Sequence, residues 1–438
     1  MKTRLSWLAA FFLPFALLLP SCSSDKAADA EELIATVPND ASLVAVVNVG
    51  TVLEKAGCTV DGQNITAGKE ASAAVAKIKD PHVRDLANAI LSGKSGIDPS
   101  VIAVFRQGYY TYLTGVAADP AKFKECFAGQ TGSGFKADGD VETAANVALS
   151  GNRFWVNVGQ HAVDPNDIRH FKSLDKTQSF LENKQSEQLC KVDRDIKGWA
   201  NITGILNSAD IPFQQRATVQ VALQTLFEDP SAVLFSASAE KGAFAAEASV
   251  LNSKGNTARY LLPTEKLDIK TIESIGGTTD ALMAVSVPHK LIEKLTKEAE
   301  SKSVSMLGIY LKMLGGIDGT AAFAYCENGD YRAVISTNGT DMSAVSDFLS
   351  QGGATVTIDG KKLRVSKGSM AGAKLPVAEL APAFKGAVAG VAVGNFGKNE
   401  GPKAGSLMLV SENGGIVFKI KAEMADKNEN ALLQILNL

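Results

Sequence analysis

The chain has 438 residues, with 44 Lys and Arg against 47 Asp and Glu, a formal net charge of −3. Apolar residues make up 45% and charged residues 21%, with 39 Gly and only 14 Pro; this excludes a disordered or collagen-like polymer and leaves a folded body long enough for two domains. A mildly acidic chain without a block of Lys or Arg gives no electrostatic reason to expect nucleic acid as a partner.

The first segment reads as an export signal. Lys2 and Arg4 form a short positive start, and residues 7–19 are apolar almost throughout. That run suits the core of a secretory signal and is too short to span a bilayer, which needs about 20 apolar residues. Pro14 inside it disfavours a membrane helix further. Leu19-Pro20-Ser21-Cys22 resembles the lipobox read by the bacterial lipoprotein peptidase, matching at Leu19, Ser21 and Cys22, with Pro20 the unusual position. The expectation is a signal over 1–21, cleavage before Cys22 and lipids on that cysteine. Loss of Lys2 and Arg4 takes the formal charge from −3 to −5.

Residues 22–35 then read as a tether, because 23–32 are small, polar and charged and bury little apolar surface. Ser23 replaces the aspartate associated with inner-membrane retention, which points to the outer membrane. Asp25 is a weak form of the acidic signal that some bacteria use for surface export, so the periplasmic face and the cell surface both stay open. The lipid anchor is the one expected contact with the membrane. An envelope protein or a glycan is the expected class of further partner.

An internal duplication organises the body. Residues 42–49 match 281–288 at an offset of 239, continuing into Leu53-Glu54-Lys55 over Ile292-Glu293-Lys294. Gly96-Ile97-Asp98 matches Gly316-Ile317-Asp318 at 220, ahead of a strand in both places. Residues 147–151 match 356–360 at 209, and the hairpin at Lys241-Gly242 resembles that at Gly414-Gly415. The shrinking offsets make the second copy the shorter one. The copies are expected at 36–255 and 275–438, with the junction inside 252–278.

Within the first copy, residues 44–49 form a buried strand and 52–55 begin a helix. Residues 70–91 carry helical spacing broken near Pro81. Residues 101–116 form a hairpin turning at Gln107-Gly108, Asp119 caps a helix that opens on Pro120, and a second hairpin turns at Ser150-Gly151-Asn152. A helix over 213–227 and a hairpin over 233–250 complete the copy. In the second copy a helix is expected over 340–348 and a hairpin at Asp359-Gly360. Hairpins alternating with single helices predict α+β: two related copies of a mainly antiparallel sheet with helices packed on one face. This layout resembles an uncharacterised family of duplicated lipoproteins from Bacteroidota. The resemblance rests on the lipobox, Asn39-Asp40 before the first strand, the Gly-Ile-Asp tripeptides and Trp199. It implies location and fold, and no activity.

Residues that carry chemistry are sparse. His161, Asp164, Asp167 and His170 stand at steps of three, but on a helix nine steps of 100° put the two histidines on opposite faces, and Asp164-Pro165 reads as a helix cap. Asp138, Asp140 and Glu142 read as a turn rather than a calcium site. Asp426, Asn428 and Asn430 begin like an EF-hand loop that fails at Ala431 and Asn437. Gly93-Lys94-Ser95 lacks the upstream glycine of a phosphate loop, where Asn88 stands, and Gly129, Gly132 and Gly134 have no following helix at dinucleotide spacing. Ser173 and Lys176 fit a Ser-x-x-Lys pattern without its companion motifs, as do Ser23 and Ser238. With four histidines in the chain, none repeated in both copies, a duplicated histidine site is excluded. No metal and no cofactor are expected, and Cys58, Cys126, Cys190 and Cys326 leave any disulfide pairing open.

The remaining candidates for ligand binding are aromatic: Tyr110, Tyr112 and Trp155 in the hairpins of the first copy. Alternation puts Tyr110 and Tyr112 on one face and Tyr109 on the other. Exposed, the pair would stack on a sugar or a partner; packed under helices, it would be core. The expected function is a lipid-anchored, non-catalytic binding or interaction module of the envelope. The alternatives are an exported hydrolase with a site assembled from distant residues, or a structural or adhesive surface component.

Overall fold

The computed structural model describes residues 26–436 apart from 63, 80, 160, 209–211, 302–310 and 395–401. Cys22 and the expected signal therefore lie outside the described residues. The chain divides into two compact units. The first holds the chain up to Gln224, Asp229–Ala258 and Met424–Leu438; the second holds Thr225–Glu228 and Arg259–Glu423. The expected second copy over 275–438 thus gives up its end to the first unit.

The sheet of the first unit is built from β1 (Leu43–Val47), β2 (Ile102–Gln107), β3 (Tyr110–Val116), β4 (Lys136–Asp138), β5 (Val141–Ala144), β6 (Val147–Ser150), β7 (Arg153–Asn157), β8 (Ile196–Asn201), β9 (Pro230–Glu240) and β10 (Ala243–Asn252). All pairings are antiparallel, in the order β4-β5-β6-β7-β3-β2-β1-β8-β9-β10. The central strands are buried on both sides. Ile102 and Val104 of β2 point to one core, and Ala103 and Phe105 to another. Such a strand reads as a continuous apolar run because alternation serves two interiors.

Helices cover both faces, which corrects the one-face expectation. Over one face lie α2 (Val49–Lys55), α3 (Lys69–Ala76), α4 (Pro81–Leu91) and α5 (Pro120–Thr131), contributing Leu53, Val75, Leu91 and Phe123. The start of α5 is fixed as its sequence predicts: the Asp119 carboxylate accepts from the amides of Ala121 and Lys122, and Pro120 fills the first turn. Over the other face lie α1 (Lys26–Ala35), α6 (Pro165–Ser173) and α7 (Ser186–Lys191), with Ile34, Phe171 and Leu189 buried against Phe105, Trp155 and Trp199. Helix α1 also corrects the tether. Leu33 and Ile34, just past the polar stretch, give the segment an apolar hold, and Glu32 pairs with Arg153 at 2.6 Å.

The second unit is built from β11 (Ala281–Val287), β12 (Ile317–Tyr325), β13 (Tyr331–Thr337), β14 (Thr355–Asp359), β15 (Lys362–Lys367), β16 (Ala387–Gly394), β17 (Ala404–Glu412) and β18 (Gly415–Glu423). Its order is β14-β15-β13-β12-β11-β16-β17-β18, again antiparallel. That is the order of the first unit strand for strand once β4 and β5 are removed, so the duplication is present in the topology. Helices α11 (His289–Ser301) and α12 (Ser343–Gln351) put Ile292 and Val345 on one face; α10 (Ile269–Glu273) and α13 (Val377–Leu380) put Ile272 and Leu380 on the other.

Register refines the alignment of the copies. A row of facing residues in the first unit runs Val156, Leu113, Val104, Ala45, Gly198, Phe235, Ala248. The matching row in the second runs Val365, Ala333, Phe323, Met283, Val391, Leu407, Ile420. The hairpin offset of 209 holds, whereas the first strands align at 238, not 239, and the strands after Gly-Ile-Asp at 219, not 220. A one-residue slip puts every side chain on the wrong face. Small apolar residues that alternate toward two buried faces give a sequence match nothing to resist that slip.

A candidate docking face on the second unit

The row just drawn exposes a difference between the copies. In the first unit, α14 (Ala431–Leu436) lies across β9 and β10. Its Leu432 and Leu436 share a core with Ala239, against which Ala237 and Phe244 also pack. In the second unit the same side of the sheet carries Tyr325 and Phe323 on β12, Met283 and Val285 on β11, Leu407 on β17, and Phe418 and Ile420 on β18. Each of these is between 37% and 48% exposed. Their pairing partners on that side, Ala281, Ala389, Val391, Val393 and Leu409, are apolar as well. The face bears no charged side chain across these five strands, and the phenol of Tyr325 is its main hydrogen-bonding group. Isolated exposed apolar residues are ordinary, but a contiguous apolar face is not. Lys419 and Lys421 alternate with Phe418 and Ile420 and point to the opposite side, where they pair with Glu412 and Glu423.

Because this face is open, a charge on it should not disturb the fold. Met283→Lys is expected to change unfolding free energy by less than about 0.5 kcal/mol, as at other solvent-facing positions. Urea titration checks this, and a loss of several kcal/mol would mean that Met283 is covered.

The three aromatic candidates do not form a site. Tyr110 and Tyr112 do share a face, with ring centroids 6.4 Å apart, but only Tyr110 is exposed. Tyr112 is buried, stacks on Phe105, and donates its hydroxyl to Asp167 Oδ2 at 3.1 Å. Burial and that carboxylate hold the phenol above its ordinary value. Trp155 is fully buried in the same core. Helices α1 and α6 cover what alternation alone left open.

The polar motifs resolve into structure. Asp164 caps α6 by accepting from the amide of Asn166, and among the described residues no cluster of three or more His, Cys, Asp or Glu could hold a metal. Asp138 pairs with Arg169 at 2.6 Å, Asp140 with Lys172, and Glu142 with Lys124 at 3.1 Å, so each acid of that turn already has a cation. Asn430 accepts from the amide of Leu432 at the start of α14. Cys58, Cys126, Cys190 and Cys326 are all free thiols.

An open cleft of about 680 Å³ lies between α2, the β9–β10 hairpin and the segment before α14, lined by Glu54, Lys55, Glu240, Lys241 and Asn430. Lys55 pairs there with Glu240 at 3.4 Å. The acid beside them, Asp195, is fully buried, and desolvation raises its pKa from the ordinary 3.8 to about 7.

No protein-family model and no curated relative matches this chain. Among solved structures, crystal form I of TP0453 is similar at 8% identity and a TM-score of 0.29, covering 81% of this chain and 96% of that one. Crystal form III of TP0453 gives the same identity and score over 76% and 91%. Likeness at this level carries no inference about fold or function. Met283, Val285, Phe323, Leu407, Phe418 and Ile420 escaped sequence reasoning although their alternation was visible, because alternation marks an apolar side without saying whether anything covers it. Among the described residues no helix is long and apolar enough to cross a membrane.

Proposed function

We propose that this chain is a lipid-anchored envelope lipoprotein that acts as a binding or interaction module, with the apolar sheet face of the second unit as its docking surface. The observation that carries this reading is the set of seven large apolar side chains left open on one side of β12, β11, β17 and β18. Burying such a face is favourable by about 25 cal/mol per Å², so it stays open only until a partner covers it. The anchor is proposed at Cys22 from the lipobox, with the outer membrane as location; the resemblance to duplicated lipoproteins of Bacteroidota fits the same picture.

Two measurements test this. Cys22→Ala should leave the body folded and move it from the membrane fraction to the soluble fraction; retention in the membrane would remove the anchor from the reading. Captures from envelope extracts with this soluble form should be lost on double replacement of Met283 and Leu407 by lysine. Capture that survives the double replacement would place the binding surface elsewhere.

A further inference from the structure

Helix α1 limits how far the body can stand from its anchor. The polar composition of 22–35 suggests a tether, but the structure takes Lys26–Ala35 into α1, with Ala30, Leu33 and Ile34 buried in the first unit. Ser23, Ser24 and Asp25 alone then separate Cys22 from the helix, four chain steps that span at most about 14 Å. Two contacts fix the end of the unit at which α1 enters. Glu32 pairs with Arg153 at 2.6 Å, next to the turn over 150–152. The chain leaving α1 reaches the opposite end, where the Ser42 amide donates to the Arg106 carbonyl at 2.8 Å, next to the turn over 107–110. Strand β3 joins these ends, with Tyr110 at one and Val116, facing Arg153, at the other. Six residue steps at ~3.4 Å put them ~20 Å apart.

The two ends differ in chemistry. The end where α1 enters exposes Asn152, with Lys122 paired to Asp119 at 3.3 Å and Lys191 to Glu187 at 2.6 Å. The Ala117 amide donates to the Asn152 carbonyl, which brings the start of α5 to this turn, and α7 leads into Ile196, facing Val47, at the same end. Among the described residues of the first unit, the exposed large apolar side chains lie elsewhere. They are Tyr109 and Tyr110 at the opposite turn, and Phe213, Val219 and Val221 of α9 (Phe213–Leu226), which follows α8 (Ile202–Ser208) from that same opposite end of β8.

Resting on the proposed lipid anchor at Cys22, we infer that the end of the first unit where α1 enters docks on the lipid headgroups of the bilayer that holds the anchor, with the exposed tyrosines pointing away. For the Tyr109 end to reach the headgroups instead, the anchor would have to run back along the sheet for ~20 Å, more than the ~14 Å that three residues supply. Ion-paired side chains suit a hydrated headgroup layer. Carrying them into the acyl region would cost their desolvation, so this end rests on the bilayer and does not enter it.

The experiment uses the full lipidated chain in vesicles of phosphatidylethanolamine and phosphatidylglycerol, with the photoreactive residue benzoylphenylalanine replacing either Asn152 or Tyr109. Illumination should give several-fold more lipid adduct from position 152 than from position 109. Equal yields, or the larger yield at 109, overturn the orientation. A flexible Gly-Ser segment of about 20 residues inserted between Asp25 and Lys26 adds a mean reach of about 25 Å and should shrink the difference. A difference that persists undiminished overturns the short tether as what holds this end down. Mass spectrometry of the isolated chain separates the two readings. No lipid on Cys22 brings down the anchor and this inference with it, whereas a lipidated Cys22 with equal yields brings down the orientation alone. Should the change at Asn152 prevent folding, Lys122, with its side chain 59% exposed at the same end, takes the probe instead.

Discussion

Trp155→Ala is expected to cost ~3–5 kcal/mol of stability in the first unit, the usual range for deleting a fully buried large aromatic. The indole lies in a core that contains Phe105, Tyr112 and Phe171, and helices α1, α6 and α7 close it. None of them can shift inward without breaking its hold on the sheet. A contrast with the other buried tryptophan separates packing from hydrogen bonding. Trp155 Nε1 is buried with no partner, so Trp155→Phe removes an unsatisfied donor and leaves only a small void; a loss below about 1.5 kcal/mol is expected. Trp199 Nε1 donates to Gln185 Oε1 at 2.6 Å, and Gln185 is itself buried. Trp199→Phe strands that oxygen and should cost ~1–3 kcal/mol beyond its void. Urea unfolding of the three variants gives the order Trp155→Phe, Trp199→Phe, Trp155→Ala. Equal losses for the two phenylalanine variants would mean that the hydrogen bond contributes nothing.

The second large effect is a dependence on pH carried by Asp195. Its Oδ2 accepts from the Ala239 amide at 3.2 Å, while Oδ1 has no partner. The nearby Lys55 ammonium is engaged by the Ala239 carbonyl and by Glu240. Desolvation is the largest cause of the shift to about 7 and outweighs the Lys55 charge, so the fold favours the protonated acid. The folded state therefore binds a proton that the unfolded chain has released between about pH 4 and pH 7. Stability from this group is present below its ordinary pKa of 3.8 and falls as pH rises through 7. About three units at 1.36 kcal/mol each set an upper limit of ~4 kcal/mol. Asp195→Asn keeps the acceptor for Ala239 and cannot ionise. It should match the parent near pH 4 and exceed it by up to that limit at pH 8. A difference between the two proteins that is the same at both pH values would show that Asp195 does not titrate in this window.

What could be read from the sequence was local. The caps at Asp119 and Asp164, the break before Pro81, and the hairpin turns at Gly108 and Gly151 follow from residues within a few positions of each other, whose backbone preferences act before any tertiary contact forms. The α+β class followed from the same signals. The extent of α1 did not, because two apolar residues at the end of a polar stretch hold it only when a core is there to receive them. The register of the first strands was undetermined, since an apolar run buried on two sides fits as well one residue along. Tyr112 and Trp155 were legible as a shared aromatic patch and not as core, because the helices that seal them arrive from residues before β1 and after β7.

The docking face is the sharpest case of this division. Alternation in residues 416–421 marks an apolar side as plainly as it does in the strands of the first unit. At its hairpin end, whether that side is interior or surface depends on a helix that the first copy draws from the far end of the chain, at Ala431–Leu436, and that has no counterpart there among the described residues of the second unit. The sequence by itself determined which residues share a side; only the tertiary structure decided which sides are covered, because covering is a contact between segments that no local preference encodes.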